Sequence, residues 1–238
     1  MGMLPKTPEI HMPQRAKGQR LMRGRPITTE EFERMIKAIP KVRSYDAQIW
    51  ERYLTGMWLS GLRLAESTML SWEDDAPLAV DLSGRHPRLR IYAEAEKGHQ
   101  DRLLPLTPDF AAFLLETPSD QQEGRVFKLI GRRTRKLITP RRIGRIVSDI
   151  GRQANVVVNK SERKFASVHD LRRTFGTRWA RRVMPATLQL LMRHASIETT
   201  MKYYVDLNAD ELGDDLWKQF GSHAKTAPSR RRTDGAKT

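Results

Sequence analysis

Hydrophobic residues recur every three or four positions in several stretches of the chain, which is the spacing of amphipathic helices. The first predicted helix begins at Thr28 and Thr29, before two glutamates, and ends at Pro40. The second begins near Asp46 and ends at Gly61. A later predicted helix carries its apolar face on Ile143, Ile146, Val147 and Ile150.

The hydrophobic period changes between residues 78 and 106, where short apolar runs are separated by turn residues. The runs are Leu78, Val80 and Leu82, then Leu89, Ile91 and Tyr92, then Leu103, Leu104 and Leu106. They predict a small antiparallel sheet of about three strands. Nearly everything after Pro108 is predicted to be helical, so the fold class is α+β, mainly α.

Two absences narrow the function. The 238 residues contain no cysteine, which excludes a disulfide framework, a thiolate nucleophile, a zinc ribbon and an iron–sulfur cluster. No apolar run approaches the roughly 20 residues that span a bilayer, and the first residues do not resemble a signal peptide. We therefore expect a soluble cytoplasmic protein with no membrane partner.

The formal net charge is +15, from 43 Lys and Arg against 28 Asp and Glu. Residues 124–182 alone hold eighteen Lys and Arg against three acidic residues, so this segment accounts for the whole excess. Within it, Arg141, Arg142 and Arg145 fall outside the apolar face of the predicted helix. A solvated basic surface is one interpretation, but contiguous cations favour a polyanion, and nucleic acid rather than a membrane.

A local motif suggests where a phosphate binds. Ser167 and Asp170 have the spacing of a capping box, which starts a helix and places His169 and Arg172 on one face of its first turns. A helix N-terminus attracts anions, and the planar guanidinium of arginine suits phosphate oxygens. The alternative is a capped helix with an exposed basic face.

A second cluster contains His194, with Tyr203 nine residues later. With the first cluster, this order resembles the signature of the tyrosine recombinase (phage integrase) family. The segment Ser60–Glu66 resembles the family box with the first catalytic arginine, and Glu94–Leu106 the β-hairpin with the catalytic lysine. The resemblance covers about residues 27–221 and implies the catalytic domain fold of that family.

The resemblance implies that DNA is cut and rejoined through a covalent 3′-phosphotyrosyl intermediate, with neither metal nor cofactor. The protein would be a site-specific recombinase or integrase acting on double-stranded DNA. Tyr203 would be the nucleophile. Arg63 and Arg172 would bind the non-bridging phosphate oxygens and stabilise the transition state.

The same resemblance assigns the proton transfers. Lys97 would protonate the departing 5′-oxygen, His169 would assist proton transfer at the tyrosine or the phosphate, and His194 would donate a hydrogen bond to the phosphate. Tyr204 is the alternative nucleophile if the register shifts by one.

Two further residues of this constellation need a structural account. Glu66 is interpreted as a brace for the first arginine. Arg193 stands where many relatives have glycine, and the sequence offers no physical reason for it.

The predicted domains are a flexible basic arm over 1–26, the catalytic domain over 27–221 and a disordered basic tail over 222–238. Most family members carry a DNA-clamping domain before the catalytic one, so we expect either a natural short form or a fragment. Self-association as a tetramer on DNA and association with the nucleoid are also expected. The alternatives are a non-catalytic DNA-binding relic or regulator, and strand relaxation like that of a type IB topoisomerase.

Overall fold

The computed structural model describes residues 24–93, 101–205 and 217. The helices in these ranges are α1 (Thr29–Val42), α2 (Ala47–Ser60), α3 (Leu64–Met69), α4 (Pro108–Leu115), α5 (Pro140–Gln153), α6 (Val168–Ala180), α7 (Pro185–Met192) and α8 (Ile197–Val205). The strands are β1 (Leu70–Ser71), β2 (Leu78–Asp81), β3 (Arg88–Ile91), β4 (Arg102–Pro105), β5 (Val157–Asn159) and β6 (Lys164–Phe165).

The first helix begins where the sequence predicts. The Thr28 hydroxyl accepts a hydrogen bond from the Glu31 backbone N–H, and the Glu31 carboxylate accepts one from the Thr28 N–H. The predicted end at Pro40 is wrong by two residues, because the helix continues to Val42. A proline in the last turn removes one hydrogen bond only, and the Arg43 N–H still reaches a carbonyl of that turn at 2.7 Å.

Gly61 ends α2 as predicted, in the left-handed region with φ of 59°. A Cβ at this position would lie 2.3 Å from the ring of Phe175 on α6. Glycine is therefore required at position 61 for two reasons: the left-handed turn and the close approach of α2 to α6. This turn delivers the chain directly to Arg63.

The predicted three-stranded antiparallel sheet is confirmed. Leu78 of β2 pairs with Ile91 of β3, and Leu89 of β3 pairs with Leu104 of β4. The two-residue strand β1 joins the β2 edge in parallel, which the sequence pattern did not indicate. Residues 94–100, between β3 and β4 in the sequence, lie outside the described residues.

A second small hairpin, formed by β5 and β6, corrects the prediction that nearly everything after Pro108 is helical. Asn155 adopts a left-handed conformation with φ of 52° and ends the helical path after α5. The valines that follow favour extended backbone. The Ala166 N–H then donates to the Val156 carbonyl at 2.9 Å, which joins the two arms of the hairpin. The Ala166 carbonyl packs closely against Gly151 of α5.

The hydrophobic core has two parts. The larger part is centred on α2, where Trp50, Tyr53, Leu54 and Met57 have no exposed surface. The smaller part lies among α6, α7 and α8 and consists of Phe175, Ala180, Leu188 and Met192, with Tyr203 and Tyr204 packed against it. Across the described ranges, every helix is too short or too polar to cross a membrane.

Candidate active site

The turn after α7 brings the two predicted phosphate-binding arginines together. Arg172 on α6 donates hydrogen bonds to the carbonyls of Gly61 and Met192. Arg63, which precedes α3, donates from Nη2 to the Arg193 carbonyl at 2.6 Å. Residues 61, 63, 172 and 192–193 therefore meet at one point, although they come from distant parts of the sequence.

The Glu66 carboxylate links two arginines at this point. It accepts hydrogen bonds from the Arg63 backbone N–H at 2.7 Å, from Arg63 Nη1 at 2.6 Å and from Arg193 Nη2 at 2.8 Å. Burial alone would raise the pKa of Glu66, but the charge of Arg193, the backbone bond and the charge of Arg63 lower it to about 2. The interpretation of Glu66 as a brace for Arg63 agrees with these contacts.

Arg193 is the residue for which the sequence offered no account. Its backbone is left-handed, with φ of 52° and ψ of 46°, a conformation that costs a non-glycine residue about 1–2 kcal/mol. Its side chain is only 5% exposed and also donates to the carbonyls of Leu191 at 2.9 Å and Gly61 at 3.3 Å. Arg193 therefore serves as an internal partner of Glu66 rather than as a third free cation.

The two predicted phosphate-binding arginines differ in exposure. The Arg63 side chain is 47% exposed, whereas Arg172 is buried. Burial, and then the charges of Arg193 and Arg63, lower the pKa of Arg172 to about 9, so its guanidinium stays protonated at neutral pH. A buried cation beside two others stabilises a bound anion strongly, because little solvent screens the attraction.

His194 and Tyr203 lie beside this cluster. Their rings stack with centroids 5.9 Å apart and an interplanar angle of 17°, and His194 Nδ1 lies 2.9 Å from the Thr200 hydroxyl. Burial and the charges of Arg172, Arg63 and Arg193 lower the pKa of His194 to about 4. Burial raises the pKa of Tyr203 against the opposing charge of Arg172. Both groups are therefore uncharged at neutral pH in the free protein.

The two adjacent tyrosines have different surroundings. The Tyr203 ring lies over Gly176 of α6, where a Cβ would come within 2.5 Å of a ring carbon. The Tyr204 hydroxyl donates a 2.6 Å hydrogen bond to the Val183 carbonyl, away from the arginines. This geometry supports Tyr203 as the nucleophile, as the spacing from His194 predicts.

The start of α6 contains the predicted capping box. The Ser167 N–H and hydroxyl both donate to Asp170, at 3.0 Å and 2.6 Å. Asp170 is fully buried and also pairs with Arg173, so the box is closed by the protein's own groups. His169 is exposed beside it, and burial of part of its ring, followed by the charge of Arg173, lowers the pKa of His169.

Four of the six predicted site residues come together: Arg63, Arg172, His194 and Tyr203. His169 lies one turn before Arg172, and within the described ranges no hydrogen bond joins it to those four. Lys97 lies outside the described residues. Thr200 also contacts this site, through His194, and was not predicted. The one sequence signal for it is its helical spacing of three residues from Tyr203. In the part of the chain that the structure describes, no cluster of acidic or histidine side chains could hold a metal ion.

Comparison with known proteins agrees with this architecture. The curated relatives include tyrosine recombinase XerC of Chlamydia caviae, which is 29% identical over 185 residues, or 75% of this chain and 53% of the relative. Tyrosine recombinase XerA of Pyrococcus furiosus is 26% identical over 182 residues, or 74% of this chain and 56% of the relative. The chain thus spans about half the length of the curated relatives it matches.

Solved structures share the fold. The crystal structure of XerA recombinase covers 85% of this chain and 66% of its own, with a TM-score of 0.52 at 21% identity. The Tn1549 transposon integrase in complex with transposon right end DNA covers 84% and 67%, with a TM-score of 0.53 at 18% identity. The predicted fold class is confirmed. The family model described as phage integrase matches residues 25–211, most of the chain, and the protein belongs to that family.

Proposed function

We propose that the protein is a site-specific DNA recombinase that breaks and rejoins strands through a phosphotyrosyl intermediate. The observation that carries this proposal is the meeting of Arg63, Arg172, His194 and Tyr203 around the turn after α7. The relatives that the chain matches are named tyrosine recombinases, which supports the same activity.

The arginines supply the electrostatic part of the reaction. Each guanidinium has five N–H donors, and Arg172 uses one on each of two carbonyls, so donors remain for a phosphate oxygen. Arg63 is exposed enough to reach DNA, and Glu66 orients it by accepting from its backbone N–H and from Nη1. Together they would offset the negative charge that develops on the non-bridging oxygens in the transition state.

The covalent step exchanges one phosphate ester for another. The Tyr203 oxygen forms a bond to phosphorus, the bond from phosphorus to the 5′-oxygen breaks, and the phenol loses its proton while the 5′-oxygen gains one. The free protein keeps Tyr203 protonated, because burial raises the pKa of its hydroxyl. We assign acceptance of that proton to His169 and protonation of the 5′-oxygen to Lys97, whose surroundings lie outside the described residues. Reversal of the step by a 5′-hydroxyl reseals the strand without ATP.

A basic cleft supplies a surface for the flanking DNA backbone. It has a volume of about 720 Å³ and is lined by Arg132, Arg133, Lys136 and Arg142 among others. Tyr45 at its edge lies between Arg43 and Arg132, whose guanidinium carbons are 4.4 Å and 5.2 Å from the ring centroid. The cleft borders the N-terminal end of α5, whose positive dipole end also favours phosphate.

We also propose the finer assignments that the sequence suggested. These are a catalytic domain over residues 27–221 between a basic arm and a basic tail, tetrameric self-association on DNA, and work at the nucleoid in the cytoplasm. Because the chain spans about half of its curated relatives, the DNA-clamping surface of a whole recombinase would come from another segment or another chain.

The decisive experiment looks for a covalent protein–DNA band that survives denaturant. The substrates are nicked suicide duplexes that cover the genomic DNA from both sides of the gene. The short fragment released by cleavage diffuses away, so its 5′-hydroxyl cannot reseal the strand and the covalent adduct accumulates. We expect wild type and Tyr204→Phe to form the band and Tyr203→Phe not to form it. A reversed result would shift the nucleophile by one residue.

Two other outcomes would contradict the proposal. Tight DNA binding without any band from wild type would identify a non-catalytic regulator. Relaxation of any plasmid by the monomer, without sequence preference, would identify a topoisomerase-like activity.

A further inference from the structure

Thr200 on α8 has a polar contact that the proposed roles of the six site residues do not use. Its side chain has no exposed surface, and its hydroxyl lies 2.9 Å from Nδ1 of His194. Thr200 stands one helical turn before Tyr203, whose ring stacks on the same imidazole. Thr200 therefore lies on the same helix as the predicted nucleophile and contacts His194, the residue predicted to donate a hydrogen bond to the phosphate.

The contacts of the Thr200 hydroxyl determine which group donates in this hydrogen bond. Within the described residues, Nδ1 of His194 is the one hydrogen-bond partner of the Thr200 hydroxyl. A buried hydroxyl that accepts from Nδ1–H would leave its own proton without a partner, which costs about 1–3 kcal/mol. If the hydroxyl donates to Nδ1 instead, the buried Thr200 proton has a partner. The imidazole proton then lies on Nε2, which is not among the buried side-chain atoms of the described residues that lack a partner.

The proton of a neutral imidazole then lies on Nε2. The two ring nitrogens of histidine share one proton, and the partner of one nitrogen decides where it resides. The backbone of His194 is fixed separately, since its N–H and carbonyl bond to Gln189 at 3.1 Å and 3.2 Å. The hydrogen bond from Thr200 therefore acts on the imidazole ring of His194 and not on its backbone.

We propose that Thr200 is a positioning residue that holds His194 in the Nε2–H tautomer, with that N–H available to the scissile phosphate. The tautomer assignment follows from the contacts, and its use on a phosphate rests on the proposed function. Without the hydroxyl the ring could adopt the other tautomer, in which Nε2 has a lone pair and would repel a phosphate oxygen. Both the Nε2–H and the Nδ1–H tautomers of His194 would then be populated.

The first test needs no DNA. The full chain is labelled with ¹⁵N-histidine, and the nitrogen shifts of His194 are read at pH 7, with the resonance identified by its loss in His194→Gln. We expect the Nε2–H tautomer in wild type, Thr200→Ser and Thr199→Val, and a mixture in Thr200→Val. Thr199 is exposed and adjacent, which makes it a matched control. A wild-type Nδ1–H tautomer would overturn the proposal without any substitution.

The second test measures the rate of covalent band formation on the suicide duplexes described above. We expect Thr200→Val to slow it about tenfold, the effect of losing one hydrogen bond of ordinary strength, with Thr200→Ser restoring it and Thr199→Val leaving it unchanged. A changed tautomer with an unchanged rate would overturn the positioning role. If wild type forms no band while the tautomer still depends on Thr200, the proposed function fails and the control of His194 by Thr200 stands.

Discussion

Replacing Glu66 by glutamine tests whether this carboxylate stabilises the site. Glutamine keeps the shape of the side chain but removes the charge that pairs with Arg63 and Arg193. The pKa of Glu66 is about 2 in the folded protein against 4.5 for the free group. Since one pKa unit corresponds to about 1.4 kcal/mol, the ionised carboxylate contributes about 3 kcal/mol to the free energy of unfolding at pH 7.

The stability that Glu66 contributes should decrease as the pH falls. The folded pKa lies below the unfolded one, so this stability is fully present above pH 4.5 and is lost as the pH falls towards 2. The difference between wild type and Glu66→Gln should therefore shrink from about 3 kcal/mol at pH 7 to about 2 kcal/mol at pH 3.5. Ionisable groups common to both proteins cancel in this difference.

Urea unfolding followed by tryptophan fluorescence provides the measurement, at pH 7, 4.5 and 3.5. Glu33→Gln is a matched control, because Glu33 is an exposed carboxylate on α1 far along the chain from the site. We expect the control to change the free energy of unfolding by less than about 0.5 kcal/mol. A loss below about 1 kcal/mol for Glu66→Gln at pH 7, or a loss that stays constant with pH, would refute the reasoning.

The same variant should respond more strongly to DNA. Removing the Glu66 charge leaves Arg63, Arg172 and Arg193 without an internal counter-charge, and a phosphodiester can supply one. Saturating duplex DNA should therefore raise the melting temperature of Glu66→Gln by more than it raises that of wild type. An equal or smaller rise would show that the carboxylate does not compete with the phosphate for these arginines.

Four further substitutions test the packing of the glycines and the proposed role of Lys97. Gly176→Ala places a Cβ 2.5 Å from the Tyr203 ring and should slow covalent band formation by about 100-fold while the circular dichroism spectrum persists. Gly151→Ala meets a backbone oxygen at 2.3 Å and should lower the urea-derived stability by about 1–3 kcal/mol, whereas Gly144→Ala on the same helix has room at 3.4 Å and should raise it by up to about 1 kcal/mol. Lys97→Ala should lose band formation on an ordinary duplex and regain it when the scissile 5′-oxygen is replaced by sulfur, because a thiolate leaves without a proton.

Local signals explain which parts of the fold the sequence could predict. The capping box at Ser167 and the glycine at position 61 each fix one end of a helix through the nearest few residues, and both ends are where the spacing predicts. The hairpin of β5 and β6 has strands of three and two residues, too short to show an alternating pattern. Its packing against α5 depends on contacts between separate elements, which a local sequence pattern does not show.

The candidate site shows the same division. The order of its motifs along the chain indicated the arginines, the histidine and the tyrosine, because each motif is contiguous. Thr200 could not be assigned a role in this way, since its hydroxyl meets His194 only after the chain turns between α7 and α8. Spacing on a helix could suggest that Thr200 faces inward with Tyr203, but not which group it would bind.

Arg193 shows why a count of charges overestimates the electrostatic field of the site. In the sequence it adds a cation directly before His194, and a count of charges would include it in full. In the structure its left-handed backbone turns the side chain back to Glu66, which is 127 residues away in the chain. The single Glu66 carboxylate therefore offsets part of the charge of Arg193 and of Arg63, and the attraction for a phosphate is weaker than three unpaired arginines would give. The sign of the field follows from composition, whereas its magnitude depends on partners that only the fold brings together.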